Sequence, residues 1–461
     1  MAAASVSDSI PFADSLGLAF LFLGIALFAG VAALTHTRER AGSTAIVYLV
    51  LGVLAGIVVR STGLGRLAQP VHDHLVLERV TDGALILGLF ATGMRIRRTL
   101  TLPAWRLPLR LVAVQIPAST ALVALWARDL AGIGTGAAIA LGAALTPTDP
   151  VLAGDLGIDP PRAEQEERSS EPEFVLTAEA GLNDGFTLPF LLLGFAVARH
   201  ESLWRWAGTR LVYGIVVALV VGAALGRLIA WIAVRLRETE LFSSDYDRWI
   251  GLASAFAIYG AAEALGSFGF VAAFAGGVAF RRHELADDYH RDVHDGADVL
   301  KHFSELAVIL ILGSMLAFYG FSEAGAWGLG LAAASVFAIR PVTAFLVLAR
   351  SRLSVRERIW VAWFGVKGVA SLNYVAVAVA AHAFGADVPG LVWTVLTAVA
   401  LSVVVHGVSS TPLTRLLLRD EDDEQGPDRD PTDGVGRRGL GGAWTGAAAG
   451  TGRPRLPARG S

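Results

Sequence analysis

The chain has 461 residues, 54% of them hydrophobic and 17% charged, with a formal net charge of −3. A soluble domain is about 45–50% apolar and about 25% charged, so this composition points to a membrane protein, and its balanced charge gives no argument for a nucleic-acid partner. The absence of cysteine removes disulfides, thiolate metal sites and thiol chemistry together.

The first residues, MAAASVSDSIPFADS, hold no basic group ahead of the first apolar run. That argues against a cleaved signal peptide and for retention of the run as a membrane helix. Spans of about 17–25 apolar residues are the unit to look for, and thirteen can be drawn. The first six lie near residues 14–35, 45–60, 78–95, 109–127, 134–155 and 173–198. The next seven lie near 209–235, 248–265, 267–281, 298–319, 325–349, 357–382 and 389–418. The eighth and ninth are separated by little more than Gly266, so a count of twelve is the competing reading.

Arginine placement decides between the two counts. With the N-terminus outside, the odd-numbered connections carry about twenty basic residues and the even-numbered ones about six or seven. This bias places the odd loops and the C-terminus in the cytoplasm, and deleting one span would destroy it. Thirteen spans are therefore predicted within residues 1–418. Residues 419–461, rich in acid, Gly and Pro, are predicted to form a disordered cytoplasmic tail.

The fifth span ends in LGAALTPTDPVLAGDLG, where Pro147 and Pro150 each remove a backbone donor and disfavour helix before them. Unwound backbone at membrane depth is tolerated where it is buried in protein or lines a watery cavity. Transporters use such breaks to aim helix ends at ions. Thr148 and Asp149 lie in the break. A proline kink whose Asp149 merely caps freed amides is the blander alternative.

The sixth span, FVLTAEAGLNDGFTLPFLLLGFAV, contains Glu179, Asn183 and Asp184. A carboxylate at membrane depth costs roughly 2.5–3.5 kcal/mol on insertion scales, so each needs a partner, a cavity or an ion path. Glu179 and Asn183 share a helix face while Asp184 is rotated off it, which lets one acid be locked in an ion pair while the other stays free to titrate. Arg340, near the middle of the eleventh span, is too deep to snorkel and needs an anion. Lys367 stands between Gly365 and Gly368 in WFGVKGVASLNYVAVAVA, which predicts a second loosened helix crossing the first; its alternative is a lysine reaching back to headgroups. His382 and His406 sit in apolar helices, where a hydrogen-bonded core histidine is the commoner role. Glu263 is expected to see only water at an external helix end, and Asp82, near the start of the third span, to be a solvated helix-end cap, with a place lining a cavity as the alternative. GSFGFVAAFAGGVAF offers small residues for close helix packing.

Taken in order over residues 14–418, TPTDPV, EAGLNDG, ALGSFGFVAAFAGGV, IRP and WFGVKGVAS resemble the monovalent cation:proton antiporters of the sodium/proton exchanger branch. The resemblance implies an all-α polytopic fold with inverted repeats, a core domain with two crossed unwound helices, and a dimerisation domain that makes a homodimer. Asp184 matches the family's cation- and proton-binding aspartate, Asn183 its neighbouring amide, and Thr148 and Asp149 the first unwound helix. Glu179 and Arg340 match a paired acid and arginine that brace the core. Two positions depart from the pattern: Ala180 replaces a hydroxyl residue that supplies an oxygen ligand, and Lys367 replaces the usual arginine.

These features imply a plasma-membrane antiporter, not an enzyme, with no cofactor. It would exchange protons for a monovalent cation, Na⁺ or alternatively Li⁺ or K⁺, and the resemblance implies one cation per proton. Asp184 would bind a proton or a dehydrated alkali ion, with Thr148 and water as further oxygen ligands, while Glu179 stays paired with Arg340. Asp149 and Lys367 would offset the partial charges of the broken helix ends. The rivals are a cation channel or a proton-coupled transporter of an organic solute, and an intramembrane hydrolase using Asp149 and Asp184 as a dyad.

Overall fold

In the computed structural model, residues 44–62, 69–96, 98–149, 171–238, 247–284, 290–320 and 324–418 are described, with isolated positions 21, 24, 25 and 28. Among the described residues the regular elements are all helices. The first half holds α1 (Thr44–Thr62), α2 (His74–Arg95), α3 (Leu102–Ala131), α4 (Thr135–Leu145), α5 (Glu171–Phe186) and α6 (Leu188–Ala198). Then come α7 (Leu203–Leu236), α8 (Asp247–Ala264), α9 (Gly269–Glu284) and α10 (His290–Tyr319). The last are α11 (Gly325–Leu348), α12 (Val355–Trp363), α13 (Val369–Ala380) and α14 (Val388–Leu418).

These helices occupy the second to thirteenth predicted spans. The first span, apart from the helical positions 21, 24, 25 and 28, lies outside the described residues, as do Pro150 and the tail. Among the described residues, six stretches are long and apolar enough to cross a membrane: α1, α3, Glu171–Ala198, α7, α11 and Gly385–Leu418. By contrast α4 and α13 have 11 and 12 residues, well short of the roughly 20 that a crossing requires. Each ends or begins at a break: α4 stops ahead of Pro147, and α13 starts after the glycine-flanked residues 364–368.

The structure adds features that the apolar runs did not announce. Leu111–Gln115 and Ser335–Ile339 are wound as π-helix, two residues before Pro117 and Pro341. A proline ring clashes with the carbonyl four residues back and supplies no N–H, and a widened turn absorbs both defects. Both halves of the chain thus run in the same order: a π-widened helix with a proline, then a broken helix. Ser119 and Thr343, each two residues past its proline, meet with their hydroxyl oxygens 2.9 Å apart.

Three expectations are corrected. Asp82 is no helix-end cap: α2 begins at His74, and Asp82 accepts a hydrogen bond from Asn373 Nδ2 at 2.8 Å. Glu263 does not see only water, because its carboxylate takes the N–H of Gly269 at 2.9 Å and so caps α9. His382 stands in the turn after α13 with φ of 49°, a left-handed conformation that histidine tolerates better than branched residues do. His406 is a core side chain with both ring nitrogens hydrogen-bonded.

Lipid tails are as apolar as leucine, so helix association in a bilayer rests on close contact more than on burial of apolar area. The small residues of α9 supply it. A Cβ on Gly277 would meet the Phe90 carbonyl of α2 at 2.2 Å, and one on Gly226 of α7 would meet the Gly276 carbonyl at 2.2 Å. Gly266, with φ of +67°, turns the chain between α8 and α9. Outward-facing Val216, Val220 and Trp231 on α7, with Leu54 and Ile57 on α1, present apolar surface to the surroundings.

Candidate functional site

The two breaks meet. The Asp149 backbone N–H donates to the Val366 carbonyl at 2.7 Å, and Asp149 Oδ2 accepts the N–H of Val369 at 2.9 Å. That carboxylate therefore caps the N-terminus of α13. Lys367 is buried, and its Nζ donates to the Leu145 carbonyl at the last turn of α4, not to a lipid headgroup. Gly368 is required by this crossing, since a Cβ there would lie 2.1 Å from Asp149 Oδ2. An anion at a helix N-terminus and a cation at a C-terminus are both favourable to the helix dipoles. The two charged side chains thereby satisfy backbone groups exposed by the unwinding.

On α5, one face builds a closed network. Glu179 Oε2 accepts from Arg340 Nη2 at 3.1 Å and from the Thr148 hydroxyl at 3.2 Å. Asn183 Nδ2 donates to Glu179 Oε1 at 2.9 Å and also contacts Thr148 Oγ1, while Asn183 Oδ1 accepts the Thr148 N–H at 3.2 Å. All four side chains are buried. Asn183 thus fixes the first break against α5, and Glu179 has a hydrogen-bond donor on each of its oxygens.

Asp184 is treated differently. It is 3% exposed, and its Oδ1 has no hydrogen-bond partner among the described residues. The acids whose charge reaches it are Asp149 and Glu179. Only its main chain is engaged, through the Tyr374 hydroxyl of α13 donating to the Asp184 carbonyl. Against Gly365, Arg340 Nε and Nη1 also lack hydrogen-bond partners among the described residues. A buried polar atom without a partner carries a penalty of about 1–3 kcal/mol, more when charged, so the Asp184 carboxylate is unsatisfied as it stands. An unengaged carboxylate oxygen can take a proton or a hard cation. Among the described residues no group of three or more His, Cys, Asp or Glu side chains could hold a resident metal.

On its other side α5 is smooth. Gly181 packs on the ring of Phe274 and Gly185 on Val271, where added Cβ atoms would approach to 2.3 Å and 2.4 Å. Asp184 thus lies on the helix that separates the crossed breaks from α9.

The predicted residues Thr148, Asp149, Glu179, Asn183, Arg340 and Lys367 are brought into one continuous set of contacts, with Asp184 beside it. Sequence reasoning did not find Tyr374 or Ser402. Ser402 Oγ accepts the Lys367 N–H at 2.8 Å and lies 3.0 Å from His406 Nδ1, while His406 Nε2 lies 3.0 Å from the Trp363 carbonyl. His406 Nδ1 also lies 2.9 Å from the Ser402 carbonyl, so both ring nitrogens face main-chain acceptors. This pair braces both ends of the second break. The available signal was the four-residue spacing of Ser402 and His406 inside an apolar helix.

The fold is similar to that of the sodium proton antiporter MjNhaP1 from Methanocaldococcus jannaschii. One structure of it, at pH 8, gives a TM-score of 0.67 at 17% identity, covering 86% of this chain and 100% of that one. A second, from an electron-microscopy map, gives 0.68 at 18% identity, covering 88% and 99%. No curated protein matches the chain. The transmembrane sodium/hydrogen exchanger family matches residues 20–416, nearly the whole length, so the protein belongs to the sodium/hydrogen exchanger family of multi-pass membrane transporters and is not an enzyme.

Proposed function

We propose that the protein exchanges protons for a monovalent cation, with Na⁺ as the main substrate, across the plasma membrane, and that Asp184 carries both. The observation that supports this most is the contrast between the two acids of α5. Glu179 is hydrogen-bonded by Arg340, Thr148 and Asn183, whereas Asp184 Oδ1 is buried with no partner among the described residues. An ionised acid held in that state is expensive, and a proton or an alkali ion relieves the cost. Neutralised by either, Asp184 can pass an apolar barrier; empty, it cannot. That asymmetry makes exchange obligatory and, with one carboxylate changing partners, one cation per proton.

Thr148 would add an oxygen ligand, and water would supply the rest, because position 180 offers only a methyl group. Asp149 and Lys367 hold the broken helices in place and are not consumed in the cycle. The smooth glycine face of α5 against Phe274 and Val271 suits a core that slides past α9. By family likeness the working unit is a homodimer.

Purified protein in liposomes, loaded with a pH gradient, tests the reading. Addition of Na⁺ dissipates the gradient, with smaller responses to Li⁺ and K⁺, and clamping the voltage leaves the rate unchanged. Gradient dissipation that needs no cation, or a current carried without proton counterflow, would favour a channel.

A further inference from the structure

Away from the acids, a cavity of about 900 Å³ opens between the start of α3, the start of α5 and the connection from α11 to α12. It lies on the face that the arginine bias marks as cytoplasmic. Five arginines line it: Arg98, Arg106, Arg110, Arg350 and Arg352. The two carboxylates in its wall are already engaged. Glu171 pairs with Arg98, and Glu357 Oε2 accepts the Ser354 N–H at 2.7 Å in a capping box that starts α12. Arg106, Arg110, Arg350 and Arg352 therefore face the cavity without an acidic partner among the described residues.

Like charges gathered in one concavity repel, and a bound anion removes that cost. Two further features face the same space. The first turn of α3 has no side-chain cap from Thr101, so the amides of Leu102 and Ala104 are available, Pro103 between them having none. The Ser351 hydroxyl, in the lining, is buried with no partner among the described residues. Guanidinium forks match phosphate oxygens in geometry as well as charge. The rim is apolar: Leu102 is 79% exposed and Leu109 37%, which suits a ligand with a hydrocarbon part.

We propose that this cavity binds the phosphate headgroup of an anionic lipid from the surrounding leaflet, with the acyl chains lying along Leu102 and Leu109. Basic pockets between helices on the cytoplasmic side are suited to such headgroups. The bound lipid ties together α3, α5, which carries Glu179 and Asp184, and the α11–α12 connection, which links Arg340 to the second break. Its occupancy makes transport dependent on anionic lipid, whatever the cation.

Native mass spectrometry of the full chain in detergent tests this, because it reads binding and not flux. Phosphatidylglycerol is expected to be retained in preference to phosphatidylcholine. Arg106→Gln/Arg350→Gln/Arg352→Gln should bind it about a hundredfold more weakly, with unchanged elution and melting to show that the fold is intact. Equal retention of the two lipids, or undiminished phosphatidylglycerol binding by the triple variant, would overturn the proposal. Inorganic pyrophosphate displacing the lipid at comparable concentration would reassign the cavity to a soluble phosphate and overturn the lipid assignment.

Discussion

Asp149 and Lys367 each terminate the other's broken helix: Asp149 Oδ2 accepts the Val369 N–H at the start of α13, and Lys367 Nζ donates to the Leu145 carbonyl at the end of α4. Opposite charges thus sit on opposite helix ends, and the crossing carries no net charge. Removing one side chain exposes a backbone group that nothing else satisfies.

Asp149→Ala should therefore lower stability by about 1–3 kcal/mol, the cost of a buried orphaned amide, with Asp149→Asn losing less because one acceptor oxygen survives. Thermal unfolding in detergent measures both. Equal stability of all three forms would mean that the cap does not hold the break.

Glu179 and Arg340 form a buried pair, and removing one partner leaves an uncompensated charge. Glu179→Gln should cost about 3–5 kcal/mol, whereas replacing both residues with apolar ones of similar size should recover most of it. The readout is the amount of folded protein recovered from membranes. A Glu179→Gln protein that is abundant and well folded but inactive would instead make Glu179 a working ion ligand.

Ala180 precedes Asp184 by one helical turn, so the two share a face of α5. Ala180→Ser places a hydroxyl oxygen beside the acid, where it can complete a cation's ligand set. The apparent KM for Na⁺ should fall by about tenfold, equivalent to about 1.4 kcal/mol. Flux assays at fixed pH give the value, and an unchanged KM would remove position 180 from the ion's surroundings.

Gly185 meets Val271 across the face between α5 and α9, with no room for a Cβ. Gly185→Val should suppress transport far more than it lowers melting temperature, because it obstructs movement along that face. A variant with normal flux would show that α5 does not slide against α9.

Much of this arrangement was legible in the sequence because its signals are local. Apolar runs of the right length gave twelve described spans, Pro147 marked the end of α4, and Gly365 and Gly368 marked the loosening before α13. Acids in an apolar run were equally visible, since a charge at that depth demands a reason. Contacts between distant segments left no such mark. Nothing near Tyr374 announces that its hydroxyl reaches the Asp184 carbonyl, and nothing near Asp82 announces Asn373. The π-turns before Pro117 and Pro341 escaped because a proline in an apolar run signals a disturbance without saying whether the helix breaks, kinks or widens. Asp82 was misread because α2 starts at His74 and already includes Leu75, Val76 and Leu77, ahead of the span drawn from residue 78.

Competition at Asp184 is tested most directly by Na⁺-driven proton release in proteoliposomes, comparing the native chain with Asp184→Asn across a pH series. For the native chain, the apparent KM for Na⁺ should rise about tenfold for each unit that pH falls through the acid limb, as one proton displaces one cation. Asp184→Asn should fall to the level of protein-free liposomes at every pH while remaining folded. Exchange retained by Asp184→Asn with the same pH dependence would contradict the assignment of both ions to this carboxylate.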